Sequence, residues 1–137
     1  MPYKRLLLYA DGACWGNPGP AAIGVVIKDD SQTTLLEISH YIGHGTNNRA
    51  EYMAAMTALE QASRFDVQEI VLYLDSELVV RQLQGRYRVK NTALRPLYDR
   101  IRNLIKNFMS VSIIHIGHDD NHEAHTLAQS ALKKHKT

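Results

Sequence analysis

Asp11, Glu51 and Asp75 are the residues of this chain whose types and surroundings point most directly to chemistry. Asp11 follows the apolar run Leu6-Leu7-Leu8-Tyr9 and precedes a burst of turn-forming residues, Gly12, Gly16, Asn17, Pro18, Gly19 and Pro20. Asp75 follows a second apolar run that ends at Leu74, and Glu51 falls in the opening turns of a helix begun by Thr46-Asn47-Asn48. An acid at the end of a buried strand stands on the rim of a sheet, where open α/β units bind their ligands. Three carboxylates on one rim repel one another unless a cation lies between them, and oxygen-only donors suit Mg²⁺ or Mn²⁺. Each acid also has a local alternative. Asp11 could bond turn amides, Asp75 could cap a helix, and Glu51, three residues after Asn48, could close a capping box. Convergence of all three on one rim favours the site.

The elements that must position them alternate in type. Lys4 to Ala10 is expected as a first, central strand, with Asp11 at its end. Ala21 to Lys28 and Thr33 to Ile42 follow as strands two and three of an antiparallel meander that Gly43-His44-Gly45 closes. The helix from Thr46 carries Ala50, Met53, Ala54, Thr57, Ala58 and Ala62 on one face. Glu69 to Leu74 is a buried parallel strand, followed at once by a helix that Gly85 ends. Thr92 to Asn107 holds a third helix with Pro96 in its first turns. Val111 to Ile116 is strand five. Asn121 can cap a last helix with the stripe Ala124, Leu127, Ala128, Ala131 and Leu132, and the tail from Lys133 to Thr137 is expected to be flexible. The fold class is therefore α/β, a mixed five-stranded sheet with strands 1 to 3 antiparallel, strands 4 and 5 parallel, and helices flanking it.

The 137 residues, 45% of them hydrophobic, suit one domain with an ordinary core. No apolar run approaches the length of a membrane span, and no secretory leader is recognisable before Asp11. A lone cysteine, Cys14, fits a reducing compartment. A soluble, cytoplasmic, monomeric protein without an obligate protein partner is the expectation. The net charge of +2 says little by itself, but residues 81–106 hold eight Lys and Arg against the single acid Asp99, with Tyr87 and Tyr98 among them. Such a segment can follow a phosphate backbone, or it can be a solvated helix face.

The motifs DGACWGNPGPAAIG at 11–24, TNNRAEY at 46–52, LYLDSELVV at 72–80, VKN at 89–91 and HIGHDDNHEAHTLA at 115–128 together resemble the type 1 ribonuclease H family in order and spacing. That resemblance implies a ribonuclease H-like fold and an endonuclease that cuts the RNA strand of RNA/DNA hybrids with two divalent ions, leaving 5′-phosphate and 3′-hydroxyl ends. It puts Asp11 between both ions, Glu51 on the ion beside the leaving group and Asp75 on the ion that activates water. In-line attack on a phosphodiester needs a hydroxide and a stabilised leaving oxygen at neutral pH, and two clamped cations supply both. By the same resemblance Cys14, Asn17, Asn47 and Asn48 line the minor groove, Thr46 and Asn91 hold a phosphate of the DNA strand, and His44 stands where some relatives carry Arg.

The chain departs from the family pattern at three places. His125 replaces a fourth acid; an imidazole there is expected to ligate metal and to shift the preference towards Mn²⁺. Glu77 occupies a position where an amide often contacts the groove, and the segment after Gly85 is too short for the basic protrusion of some relatives. His118 matches a loop histidine or arginine associated with product release or proton transfer. An alternative transition-metal site would use His115, His118, His122 and His125. Rival functions are a non-catalytic nucleic-acid-binding module of the same fold and a nuclease of that fold with another substrate.

Overall fold

The run Leu6-Leu7-Leu8 is buried on both sides because its strand lies at the centre of the sheet. The computed structural model describes residues 3–136. Its strands are β1 (Tyr3–Cys14), β2 (Gly19–Asp29), β3 (Thr34–Gly45), β4 (Val67–Leu74) and β5 (Ser110–His115). The helices are α1 (Asn47–Ala62), α2 (Glu77–Leu83), α3 (Arg95–Ile105) and α4 (His122–Lys136), the last preceded by a 3₁₀ turn at His118–Asn121. The sheet order is β3-β2-β1-β4-β5, antiparallel from β3 to β1 and parallel from β1 to β5. This is the expected mixed five-stranded sheet.

Alternation along β1 divides the core. Leu6, Leu8 and Ala10 join Tyr52, Ala55, Leu59 and Ile101 from the helices on one face, while α4 covers part of the other with Ala128, Ala131 and Leu132 against Ala13 and Ala22. On the α1 side the buried phenol of Tyr52 donates to Gln82 Oε1 at 2.6 Å, which binds α1 to α2. Thr46 caps α1, its hydroxyl accepting from Arg49 N, and Ser76 caps α2, accepting from Val79 N. Among the described residues no helix is long and apolar enough to cross a membrane.

Among the boundaries that differ from expectation, three have a visible packing cause. β1 does not end at Asp11: Gly12, Ala13 and Cys14 continue the ladder opposite Ile23, Ala22 and Ala21. Gly12 is a packing slot here and not a breaker, since a Cβ on it would lie 2.4 Å from the Ala50 carbonyl carbon. β3 likewise extends through His44, which pairs with Pro20, because β2 begins at Gly19 and supplies the partners. The expected flexible tail is helical through Lys136, held in part by the ring of His135 stacked on Tyr41 with centroids 3.6 Å apart; Thr137 lies outside the described residues.

Candidate active site

Parallel pairing between β1 and β4 stops at Tyr9 and Tyr73. Beyond it β1 runs on beside β2 while β4 ends, so Asp11 and Asp75 face an opening at the carboxyl end of the parallel pair. Glu51, in the second turn of α1, enters the same opening. One oxygen from each of Asp11, Glu51 and Asp75 lies within 4.8 Å of the other two.

None of the three acids has the local role that its sequence surroundings offered. Glu51 closes no capping box; Gly12 N donates to its Oε1 at 3.0 Å, across the close approach that the missing Cβ permits. Asp75 leaves helix capping to Ser76. Instead, Asp75 Oδ2 accepts from Asn121 Nδ2 at 3.4 Å, and the same amide donates to Ala10 O at 2.9 Å. Its Oδ1 is buried without a hydrogen-bond partner, so Asn121 does not serve as the expected helix cap. Buried in the 3₁₀ turn, it fastens the start of α4 to the ends of β1 and β4.

The cluster is poorly solvated. Asp11 and Glu51 are only 3% and 7% exposed, and Glu51 Oε2 is a buried oxygen without a hydrogen-bond partner. Burial and then the charge of Asp75 raise the Asp11 carboxyl above its ordinary value. Burial and then the charge of Asp11 push the Glu51 carboxyl well above its own. An unsatisfied buried carboxylate oxygen among like charges is the environment that a hard divalent cation neutralises, so the donor set fits Mg²⁺ or Mn²⁺.

Two histidines stand against the acids. His125, on α4, places Nδ1 2.8 Å from Asp11 Oδ2, and His118 places Nδ1 3.5 Å from Asp75 Oδ2. Their rings meet edge to face with centroids 4.5 Å apart. His115 and His122 are exposed and join no such group, and among the described residues the cluster able to hold an ion is the three carboxylates. The histidine quartet is therefore not assembled.

Cys14, Asn47, His118 and His125 line the opening with the acids. Asn17 Oδ1 accepts from Asn47 N at 3.1 Å, and the Cys14 thiol donates to Gly45 O at 3.2 Å. These bonds tie the β1–β2 turn, the end of β3 and the start of α1 together at the rim that also carries the exposed His44, Thr46 and Asn48. Glu77 and Asn91 are not brought to this opening. Glu77 pairs with Arg81 on α2 at 2.6 Å, and Asn91 Oδ1 accepts from Ala93 N. Gln129 lines the opening and escaped the sequence reading; it stands four residues, about one helical turn, after His125.

Residues 9–131 match the protein family described as reverse transcriptase-like. The chain is 41% identical over 128 residues to a ribonuclease HI from Halobacterium salinarum, covering 93% of this chain and 64% of that protein. A crystal structure of RNase H1 from that archaeon superposes with a TM-score of 0.92, covering 95% of this chain and 98% of the other. A ribonuclease H from Rhodopseudomonas palustris is 32% identical over 147 residues, covering 97% of this chain and 95% of the relative. The crystal structure of LC11-RNase H1 in complex with an RNA/DNA hybrid has 39% identity and a TM-score of 0.91, covering 96% of this chain and 99% of that one. The chain spans between about a third and two thirds of the length of several of its curated relatives. With a family match over most of its length and these relatives beside it, the chain belongs to the ribonuclease H family.

Proposed function

We propose that this protein is an endonuclease that hydrolyses the RNA strand of RNA/DNA hybrids with two divalent metal ions, leaving 5′-phosphate and 3′-hydroxyl ends. The observation that carries the proposal is the convergence of Asp11, Glu51 and Asp75 within 4.8 Å, with the buried Glu51 Oε2 lacking a partner. Asp11, Glu51 and Asp75 are the residues that would hold Mg²⁺ or Mn²⁺. Bound there, divalent ions supply an activated water and charge stabilisation for the leaving oxygen. Support for the substrate comes from the family and from a similar protein solved with an RNA/DNA hybrid.

The chain's own residues have separable tasks in this reading. Gly12 N holds Glu51 in the opening, and Asn121 holds Asp75 to the end of β1. Cys14, Asn17, Asn47 and Asn48 contact the minor groove, where ribose 2′-hydroxyls distinguish RNA from DNA. His118, with its side chain 63% exposed beside Asp75, carries a proton to or from the reacting phosphate. Thr46 and Asn91 take a phosphate of the DNA strand. Digestion of matched RNA/DNA, RNA/RNA and DNA/DNA duplexes in Mg²⁺ and in Mn²⁺ tests the proposal. Cleavage confined to the RNA of the hybrid is expected. Binding without cleavage in either metal, or equal cleavage of the DNA duplex, would overturn it.

A further inference from the structure

The 3₁₀ turn at His118–Asn121 borders two openings. His118 lines the catalytic one, whereas Asp119, Asp120 and Asn121 line a separate cavity of about 330 Å³ together with Tyr9, Lys28 and Glu123. The two openings share no lining residue.

The walls of the second cavity offer negative charge and hydrogen-bond acceptors. Lys28 is the one Lys or Arg among them, and its ammonium is already engaged: Nζ lies 2.7 Å from Glu123 Oε1 and 5.6 Å from the centre of the Tyr9 ring. Asp119 and Asp120 are exposed and have no ion pair among the described residues. Asn121 adds an acceptor of a different kind. It is 1% exposed, and its Nδ2 is committed to Ala10 O and Asp75 Oδ2, which leaves Oδ1 buried without a partner. A buried carbonyl oxygen left in that state calls for a donor.

The occupant must therefore donate hydrogen bonds and carry positive charge. An ammonium group fits, since it has three donors and no acceptor. A bare metal ion does not. Among the described residues the group close enough together to hold one ion is Asp11, Glu51 and Asp75, so Asp119, Asp120 and Glu123 do not converge on a single point. Carboxylates held apart are matched by a cation whose own charges are spaced along a chain. A linear polyamine has that form, and its methylenes can lie against Tyr9 and Ala124 as the stem of a lysine does on apolar surface.

We propose that this cavity binds a linear polyamine, one ammonium donating to Asn121 Oδ1 and another meeting the carboxylates of Asp119 and Asp120. The site is distinct from the catalytic acids, and the proposal does not rest on hybrid cleavage.

The test is titration of the full chain with spermidine at fixed ionic strength, followed by calorimetry and by ¹H–¹⁵N amide spectra. One spermidine should bind, with shifts confined to Tyr9, Lys28 and residues 119–124. Asp119→Asn combined with Asp120→Asn should weaken binding by about threefold or more, the loss expected from two exposed ion pairs, and butylamine, with a single charge, should bind wild type more weakly by a similar factor. Lys28→Gln, which frees the Glu123 carboxylate, should tighten spermidine binding. Asp75→Asn, which removes a charge from the catalytic opening alone, should leave it unchanged. The amide signals outside the cavity report that each variant folds. No binding, shifts centred on Gly12 and Glu51, equal affinity for butylamine, or an unchanged affinity in the double variant would overturn the proposal. Binding of pentalysine at these amides in place of spermidine would also overturn it, and would make the cavity a contact for a basic protein. Hybrid cleavage assayed without polyamine is independent of every one of these outcomes.

Discussion

The carbonyl oxygen of Ala124 occupies the place that a Cβ on Gly24 would take, at 1.9 Å. Because Gly24 pairs with Asp11 across β1 and β2, this backbone contact sets the distance between α4 and the acid cluster. Gly24→Ala must push α4 outward, and overpacking of this kind costs about 1–3 kcal/mol. The expected outcome is a lower melting temperature together with loss of the His125–Asp11 hydrogen bond, seen as a changed His125 imidazole ¹⁵N spectrum. An unchanged melting temperature and spectrum would show that the contact is not rigid.

Asp11→Asn and Asp75→Asn should each abolish cleavage with little change in fold. Both side chains act through charge and lone pairs, and neither belongs to the apolar clusters that hold the sheet to its helices. Residual activity below about 1% corresponds to a loss of more than ~2.7 kcal/mol in transition-state stabilisation. Circular dichroism and a hybrid-cleavage assay together check this. Normal spectra with substantial activity in both variants would remove these residues from the reaction.

Tyr52→Phe tests the link between α1 and α2. The phenol is buried, donates to Gln82 Oε1 at 2.6 Å, and has its pKa pushed up to about 12 by burial. Removing the hydroxyl strands a buried amide oxygen, which costs about 1–3 kcal/mol. Urea unfolding should show that loss without a change in slope.

The mixed sheet and the three acids were legible because each rests on strong local signals: continuous apolar runs for central strands, a carboxylate at the end of two of those runs and a third in the opening turns of a helix. What was not legible depended on tertiary packing. Gly12 has turn-former chemistry in sequence, yet it sits in β1 because α1 lies against it, an approach that no local pattern encodes. Asn121 has the composition of a cap, but its buried amide reaches Ala10 and Asp75, far away in the chain. Glu77 stood beside Asp75 in sequence and was grouped with the groove; the helical turn carries it to Arg81 instead. Residue type alone also made His125 a candidate ligand, whereas only the structure shows which nitrogen faces Asp11.

The basic run is divided by its partners. Arg81, Arg95 and Arg100 pair with Glu77, Asp99 and Glu60, and Arg102 donates to Leu83 O. The side chains of Arg86, Arg88 and Lys90 are exposed and have no ion pair among the described residues, on a segment anchored by the buried Val89. Replacing two of these three by Gln should weaken hybrid binding and make log K against log salt shallower by about 0.7–0.9 for each phosphate no longer neutralised. Arg100→Gln, whose charge is already paired, should leave the slope unchanged. Equal effects from the two sets would assign the run to a general surface charge.

The raised carboxyl groups of Asp11 and Glu51 give the metal-free protein a specific dependence on pH. Burial and neighbouring negative charge make both hold their protons more tightly in the folded chain than in the unfolded one, where carboxyls titrate near about 3.9 and 4.3. The folded state therefore binds more protons over the interval above about pH 4, and stability falls as pH rises there. Their contribution is fully present below the unfolded values and is lost as pH rises through the raised folded ones. Divalent cations bind the deprotonated carboxylates, so stabilisation by metal should grow over the same interval in which the metal-free protein weakens. Glu51→Gln keeps an acceptor for Gly12 N and removes the more strongly shifted titration. In chelator its melting temperature should exceed that of wild type at neutral pH, converge with it towards pH 4, and respond less to added Mg²⁺. Melting curves across that interval, with and without metal, decide the matter: parallel pH profiles for wild type and Glu51→Gln would mean that the buried acids are not the source of the dependence.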